Sequence, residues 1–118
     1  SFLHVPESAT VIVGDIAYND VHPALFDSDP NSRLRWIETL KDVQAVSPEV
    51  VVTGHRRAGA PNDAVVLQDM IDYLQDADRI LATGPTASGF ISQMRLAHPT
   101  RLNLTTLIFS AAMLGLED

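Results

Sequence analysis

The sequence predicts an α/β fold, and three observations predict it. Two β-branched runs, Thr10-Val11-Ile12-Val13 and Val50-Val51-Val52-Thr53, each end in a glycine and a polar side chain, the pattern of strands buried in a sheet. Apolar residues recur at three-to-four spacing in four segments, the period of helices with one inward face. Strand-like and helix-like stretches follow one another without repeat, linker or low-complexity tract, as in one layered domain.

The elements follow in order. Phe2 to Val5 is short, β-prone and stopped by Pro6, which reads as an edge strand or a strand end. Glu7-Ser8 form a turn, and Thr10 to Val13 the first buried strand. Ile16 to Asp29 reads as irregular, with turn signals at Asn19-Asp20, Pro23 and Asp27-Ser28-Asp29. Asp29 then caps a helix that opens on Pro30 and runs to about Val46, with Leu34, Ile37, Leu40 and Val43 or Gln44 facing inward. Ser47-Pro48 stops it, and Glu49 to Thr53 is the second strand. After the Gly59-Ala60-Pro61 turn, Asn62 or Asp63 caps a long helix whose stripe is Val66, Leu67, Met70, Ile71, Leu74, Ala77 and Leu81. Gly84-Pro85 breaks the chain. Thr86 caps a short helix carrying Phe90, Ile91 and Met94, which ends at His98-Pro99. Asn103 caps a last helix carrying Leu104, Leu107, Ile108, Ala111 and Leu114.

Two or three strands and four helices leave a mismatch. Run-like strands imply a sheet covered on both faces, yet an average sheet has about five or six strands. Either short strands hide within Ile16 to Leu25 or chain beyond this sequence completes the sheet. The opening Ser1-Phe2-Leu3-His4-Val5-Pro6, which reads as mid-strand, agrees with the second expectation.

Composition narrows the function classes. The 118 residues carry 15 acidic and 8 basic side chains, a net charge of -7, with Lys41 the single lysine and Arg56-Arg57 the one adjacent basic pair. That balance argues against nucleic acid, whose phosphates are bound by clustered cations. A 46% apolar share excludes a disordered tail, and no apolar run reaches the length of a membrane span. Zero cysteines remove disulfides, thiolate catalysis and cysteine-based metal sites, and fit a cytoplasmic protein. No secretory leader pattern is present at the N-terminus.

The chemistry is concentrated where the two strands end. Gly14-Asp15 and Gly54-His55 each place a metal-capable side chain after a strand and a glycine. In open α/β sheets ligands gather beyond the carboxyl ends of strands, so neighbouring strands would bring a carboxylate and an imidazole to one crevice. Asp oxygen and His nitrogen are ordinary zinc ligands. The competing reading makes Asp15 a turn cap and His55 a polar loop residue, and two donors fall short of zinc's four.

Gly14-Asp15-Ile16-Ala17-Tyr18-Asn19-Asp20-Val21-His22-Pro23 resembles the segment around the metal-bridging aspartate of the metallo-β-lactamase-fold hydrolases. Trp36-Ile37, Leu40 and Pro48-Glu49-Val50-Val51-Val52-Thr53-Gly54-His55 are similar to a helix and the final ligand loop of one branch of that family. His98-Pro99-Thr100-Arg101-Leu102-Asn103 is similar to its closing helix junction. The resemblance spans nearly the whole chain and implies half of an αββα metallo-β-lactamase sandwich, the C-terminal half, with a few-stranded sheet and about four helices. It implies a zinc-dependent hydrolase in which Asp15 bridges two metals and His55 is the last ligand of the second. Metal-held water would then attack an ester, amide, lactone or phosphoester. Tyr18, Asn19 and His22 would be substrate-facing or supporting groups at the pocket rim, or plain loop residues.

Two departures accompany the resemblance. The family's His-x-His-x-Asp-His motif is absent, and the histidines His4, His22, His55 and His98 are widely spaced. Those ligands belong to the family's first half, so the isolated chain is expected to lack a complete dinuclear site and to be inactive alone. Arg56-Arg57 also stand where the family usually has a glycine after the histidine. A missing N-terminal half further implies an exposed apolar sheet surface, hence a homo-oligomer, a strand-exchanged dimer, or pairing with that half. The alternative is an autonomous, oligomeric, non-catalytic binding or structural module derived from the fold. Elsewhere the bland readings hold: His4 is a core or edge residue, His98 a helix C-terminal group favoured by the dipole, and Trp36 packing. Asp69, Asp72, Asp76 and Asp78 are read as a solvated helix face.

Overall fold

Strand β2 is the axis of the molecule. In the computed structural model, which describes residues 2–118, β1 (Leu3–Val5), β2 (Thr10–Asn19) and β3 (Val50–Arg56) form one sheet in the order β1-β2-β3. A 3-10 turn at Pro6–Ser8 returns the chain from β1, so β1 pairs antiparallel with β2, while β2 and β3 are parallel. Parallel neighbours need a crossover, and α1 (Pro30–Ala45) supplies it. Then follow α2 (Val65–Leu81), α3 (Ala87–Ala97) and α4 (Leu104–Met113). The fold is α/β, a small mixed sheet with four helices among the described residues.

The caps explain the helix boundaries. Asp29 accepts the Ser32 N–H at 2.7 Å while Ser32 Oγ accepts the Asp29 N–H at 2.8 Å, a reciprocal box that fixes the start of α1. Thr86 caps α3 as expected, its hydroxyl accepting the Gly89 N–H. Asn103 stands at the cap position of α4 but in the left-handed region (φ 65°) and makes no side-chain cap, which corrects its expected role. At α2 the cap position is Ala64, later than the expected Asn62 or Asp63. The Asp63 carboxylate nonetheless accepts the Val65 N–H at 2.9 Å.

Three expectations change more substantially. Ile16 to Asn19 is strand rather than irregular, because β3 continues through Gly54 and His55 to Arg56 and gives it a partner: Tyr18 lies opposite His55, and Asn19 opposite Arg56. The register breaks twice around Gly14, whose φ of 56° produces the bulge. Leu34 points to solvent, and Arg33 takes the inward position of α1 beside Ile37, Leu40 and Val43. An arginine can be buried there because α2 presents the Asp78 carboxylate to its Nε. In α4, Leu104 and Ile108 are exposed, while Leu107, Ser110 and Ala111 face inward.

The sheet is covered on one face. Val11, Val13 and Val51 are buried in one cluster with Leu40, Val43, Leu67, Met70 and Leu74 of α1 and α2. On the other face Leu3, Ile12 and Val52 stand side by side across all three strands. Leu3 is 59% exposed and Ile12 42%. The expectation of two covered faces is therefore corrected for the described residues: Leu3 and Ile12 lie open to solvent beside a half-buried Val52.

Candidate functional site

At the bulge of the parallel pair, within the strands and not beyond their ends as the sequence suggested, the two residues singled out from sequence meet. Asp15 Oδ1 lies 3.1 Å from His55 Nδ1, both side chains largely exposed, at 73% and 58%. Two glycines set this geometry. Gly14, at positive φ, lets β2 bulge so that Asp15 turns toward β3. Gly54 leaves the space the carboxylate occupies, since a β-carbon there would stand 2.6 Å from Asp15 Oδ1 and 3.0 Å from the Gly14 carbonyl carbon. Tyr18 joins the pair, its ring stacked on that of His55 at 5.1 Å and 9° between planes. Burial, and then the Asp15 charge, push the Tyr18 phenol above its ordinary range.

The pair fits part of a zinc site. Two donors on one tetrahedral zinc, each about 2.1 Å from the metal, stand about 3.4 Å apart. The 3.1 Å separation of Oδ1 and Nδ1 is close to that spacing, and one carboxylate with one imidazole is a suitable donor pair. No third His, Asp or Glu joins them into a ligand group among the described residues.

Asn19 and His22 are taken elsewhere. Asn19 Nδ2 donates to the Pro61 carbonyl at 2.8 Å and holds the loop after β3, which is also tied by the Arg57 N–H to the Asn19 carbonyl. Arg57 pairs with Asp20 at 2.9 Å. Together these residues form one wall of an open groove of about 820 Å³ between that loop, α2 and the end of α3.

His22 is only 2% exposed, and its Nδ1 lies 2.9 Å from the Tyr73 hydroxyl of α2. Burial, reinforced by Arg101, pushes the imidazole down to about 4, so it is neutral at pH 7. Arg101 caps the Tyr73 ring at 4.8 Å and donates to the Tyr18 and Val21 carbonyls. His98 tilts against the same ring and shares a hydrogen bond with Asp76 at 2.9 Å. Its imidazole is also pushed down, chiefly by burial and against the pull of Asp76.

The four aspartates of α2 are therefore not simply a solvated face. Asp76 holds His98 and Arg79, Asp78 holds Arg33, and Asp72 accepts from Gln68. Burial raises Asp69. Trp36 does more than fill space: its Nε1 donates to the Ile16 carbonyl at 2.6 Å, anchoring α1 beside the bulge. Sequence reasoning missed Tyr73 and Arg101. Tyr73 sits beside Leu74 on the inward face of α2, where an aromatic reads as packing, and Arg101 is an isolated cation in a loop.

No helix of the described residues is long and apolar enough to cross a membrane. No family model matches the chain, and no curated protein matches it either.

Proposed function

We propose that this chain is the C-terminal part of a zinc-dependent hydrolase of the metallo-β-lactamase fold, carrying two of the metal's ligands. The observation that carries the reading is the 3.1 Å approach of Asp15 to His55 across two parallel strands. It is supported by the order of the Gly-Asp, Tyr-Asn-x-x-His and Gly-His segments. Zinc bound there would acidify a water for attack on an ester, amide, lactone or similar bond. The chain's own residues do the positioning. The Gly14 bulge aims the carboxylate, Gly54 leaves it room, and Tyr18 holds the plane of the His55 ring. The remaining donors come from a partner, either the N-terminal half of the fold or a second copy, so this chain alone is inactive. The absence of cysteine suits a cytoplasmic setting.

Zinc titration followed by the imidazole NMR signals tests this. His55 is expected to shift first and in a saturable way, and D15N and H55A are each expected to weaken binding at least tenfold. Unchanged His55 signals at millimolar zinc would remove the metal reading.

A second reading is favoured by exposed Leu3 and Ile12, in register with the half-buried Val52: a non-catalytic module that associates with itself through this sheet face. Burying such a face is a strong drive to assembly. Light scattering should then show a dimer or larger species that I12K converts to monomer. A wild-type monomer at 100 μM would exclude this self-association.

A further inference from the structure

The cavity between His22, α3 and the segment that leads into α4 has a different chemistry from the Asp15–His55 pair, neither of which lines it. It measures about 580 Å³. In a chain of net charge -7, no carboxylate lines this cavity, while Arg95, Arg101, His22 and His98 all do. Its other walls are mixed: Leu96, Leu102 and Leu104 line it together with Pro99, Ser92 and Asn103, and all three leucines are exposed, so their apolar surface is free to meet a ligand.

The hydrogen-bonding polarity of His22 follows from its partner. The Tyr73 hydroxyl is buried with His22 Nδ1 as its partner, so its proton must go to Nδ1 or be left unsatisfied. A neutral imidazole that accepts at Nδ1 carries its hydrogen on Nε2. No fully buried side-chain nitrogen or oxygen lacks a partner among the described residues, and Nε2 has none within the protein, so Nε2–H keeps a small accessible area on an otherwise buried ring. His22 lines this cavity and not the groove beside α2. Its polar floor therefore offers donors: an imidazole N–H and two guanidinium groups, the more buried of which, Arg101, is pinned over Tyr73 and by two backbone carbonyls.

We propose that this cavity binds an anionic head group carried on a short aliphatic chain, with His22 Nε2–H, Arg101 and Arg95 on the head and Leu96, Leu102 and Leu104 along the chain. Guanidinium groups match the oxygens of a carboxylate or phosphate, and charge-assisted hydrogen bonds are the strong ones. The leucines add apolar burial that a bare ion would not use. The site stands independently of the metal reading.

The test is an NMR titration of the wild-type chain with octanoate, octyl phosphate, inorganic phosphate and octanol. Saturable shifts at the His22 ring are expected with octanoate or octyl phosphate, and comparison of the two identifies the head group. At equal concentration, inorganic phosphate and octanol are each expected to bind at least tenfold more weakly. R95A, which removes an exposed side chain, should weaken binding of the preferred probe five- to tenfold, and L96S threefold or more. R35A, which removes an exposed arginine on α1 outside the cavity, should leave it unchanged. The proposal is overturned if neither amphiphilic anion shifts His22. It is equally overturned if octanol binds as well as octanoate, or if R35A and R95A weaken binding alike.

Discussion

The Asp15 carboxylate rests against the bare Cα of Gly54, on the neighbouring strand, in the volume that a side chain at 54 would fill. The metal-capable pair thus depends on an absent methyl group as much as on its two donors. G54A must move either the carboxylate or the Gly14 backbone, because the added carbon would stand 2.6 Å from the first and 3.0 Å from the second. The carboxylate is exposed and can swing, so the fold should survive with a stability loss of about 1 kcal/mol. Zinc affinity should nonetheless fall about tenfold, as with loss of a ligand. A G54A chain that binds zinc like wild type would separate Asp15 from the metal.

How far the sequence discloses this site is visible in the same residues. The two strand-glycine-donor segments name Asp15 and His55, but both strands run on past these residues, and it is the bulge at Gly14 between paired parallel strands that brings the two side chains together. Tyr18 was legible as a neighbour only through resemblance, since its place over His55 requires β2 to continue past the bulge. Turn-forming residues hid that continuation: Asn19-Asp20 reads as a turn, yet Asn19 stays extended because β3 reaches Arg56 beside it. His22 could not be placed at all without Tyr73, 51 positions later. Long-range partners of this kind leave no periodic trace.

The inward position of Arg33 breaks the helix pattern in the same way, and its energetics can be checked. Periodicity puts Leu34 inside α1, but the structure exposes Leu34 and buries Arg33 against Asp78, with Ser28 Oγ accepting from its Nη1 at 2.9 Å. Removing one member of a buried ion pair leaves the other charge poorly solvated, at a cost of roughly 3–5 kcal/mol in fully buried cases. The Asp78 side chain is 28% accessible, so R33A is expected to cost about 2–3 kcal/mol. The double variant R33M/D78L should recover most of that loss, because no unpaired charge remains. Urea midpoints for the two variants measure this. Equal destabilisation of single and double variants would mean that the pair acts through packing alone.

Acid should destabilise the fold through His22 in a window set by its burial. Unfolded, the imidazole titrates near 6.5; folded, burial and Arg101 hold it down to about 4. The folded chain therefore refuses a proton that the unfolded chain accepts. The stabilising contribution is complete above about pH 6.5 and is lost as pH falls from there toward 4. Protonating Nδ1 would also turn it into a donor facing the Tyr73 hydroxyl, which itself needs an acceptor. The full gap corresponds to about 3 kcal/mol. His98, held down mainly by burial, acts in the same direction. H22Q keeps an acceptor for Tyr73 but cannot titrate, so it should be less stable than wild type at pH 7 and should lose less stability on acidification. Urea unfolding at pH 7.0 and 4.5 measures the difference. Parallel losses in wild type and H22Q would show that the acid sensitivity lies in other groups.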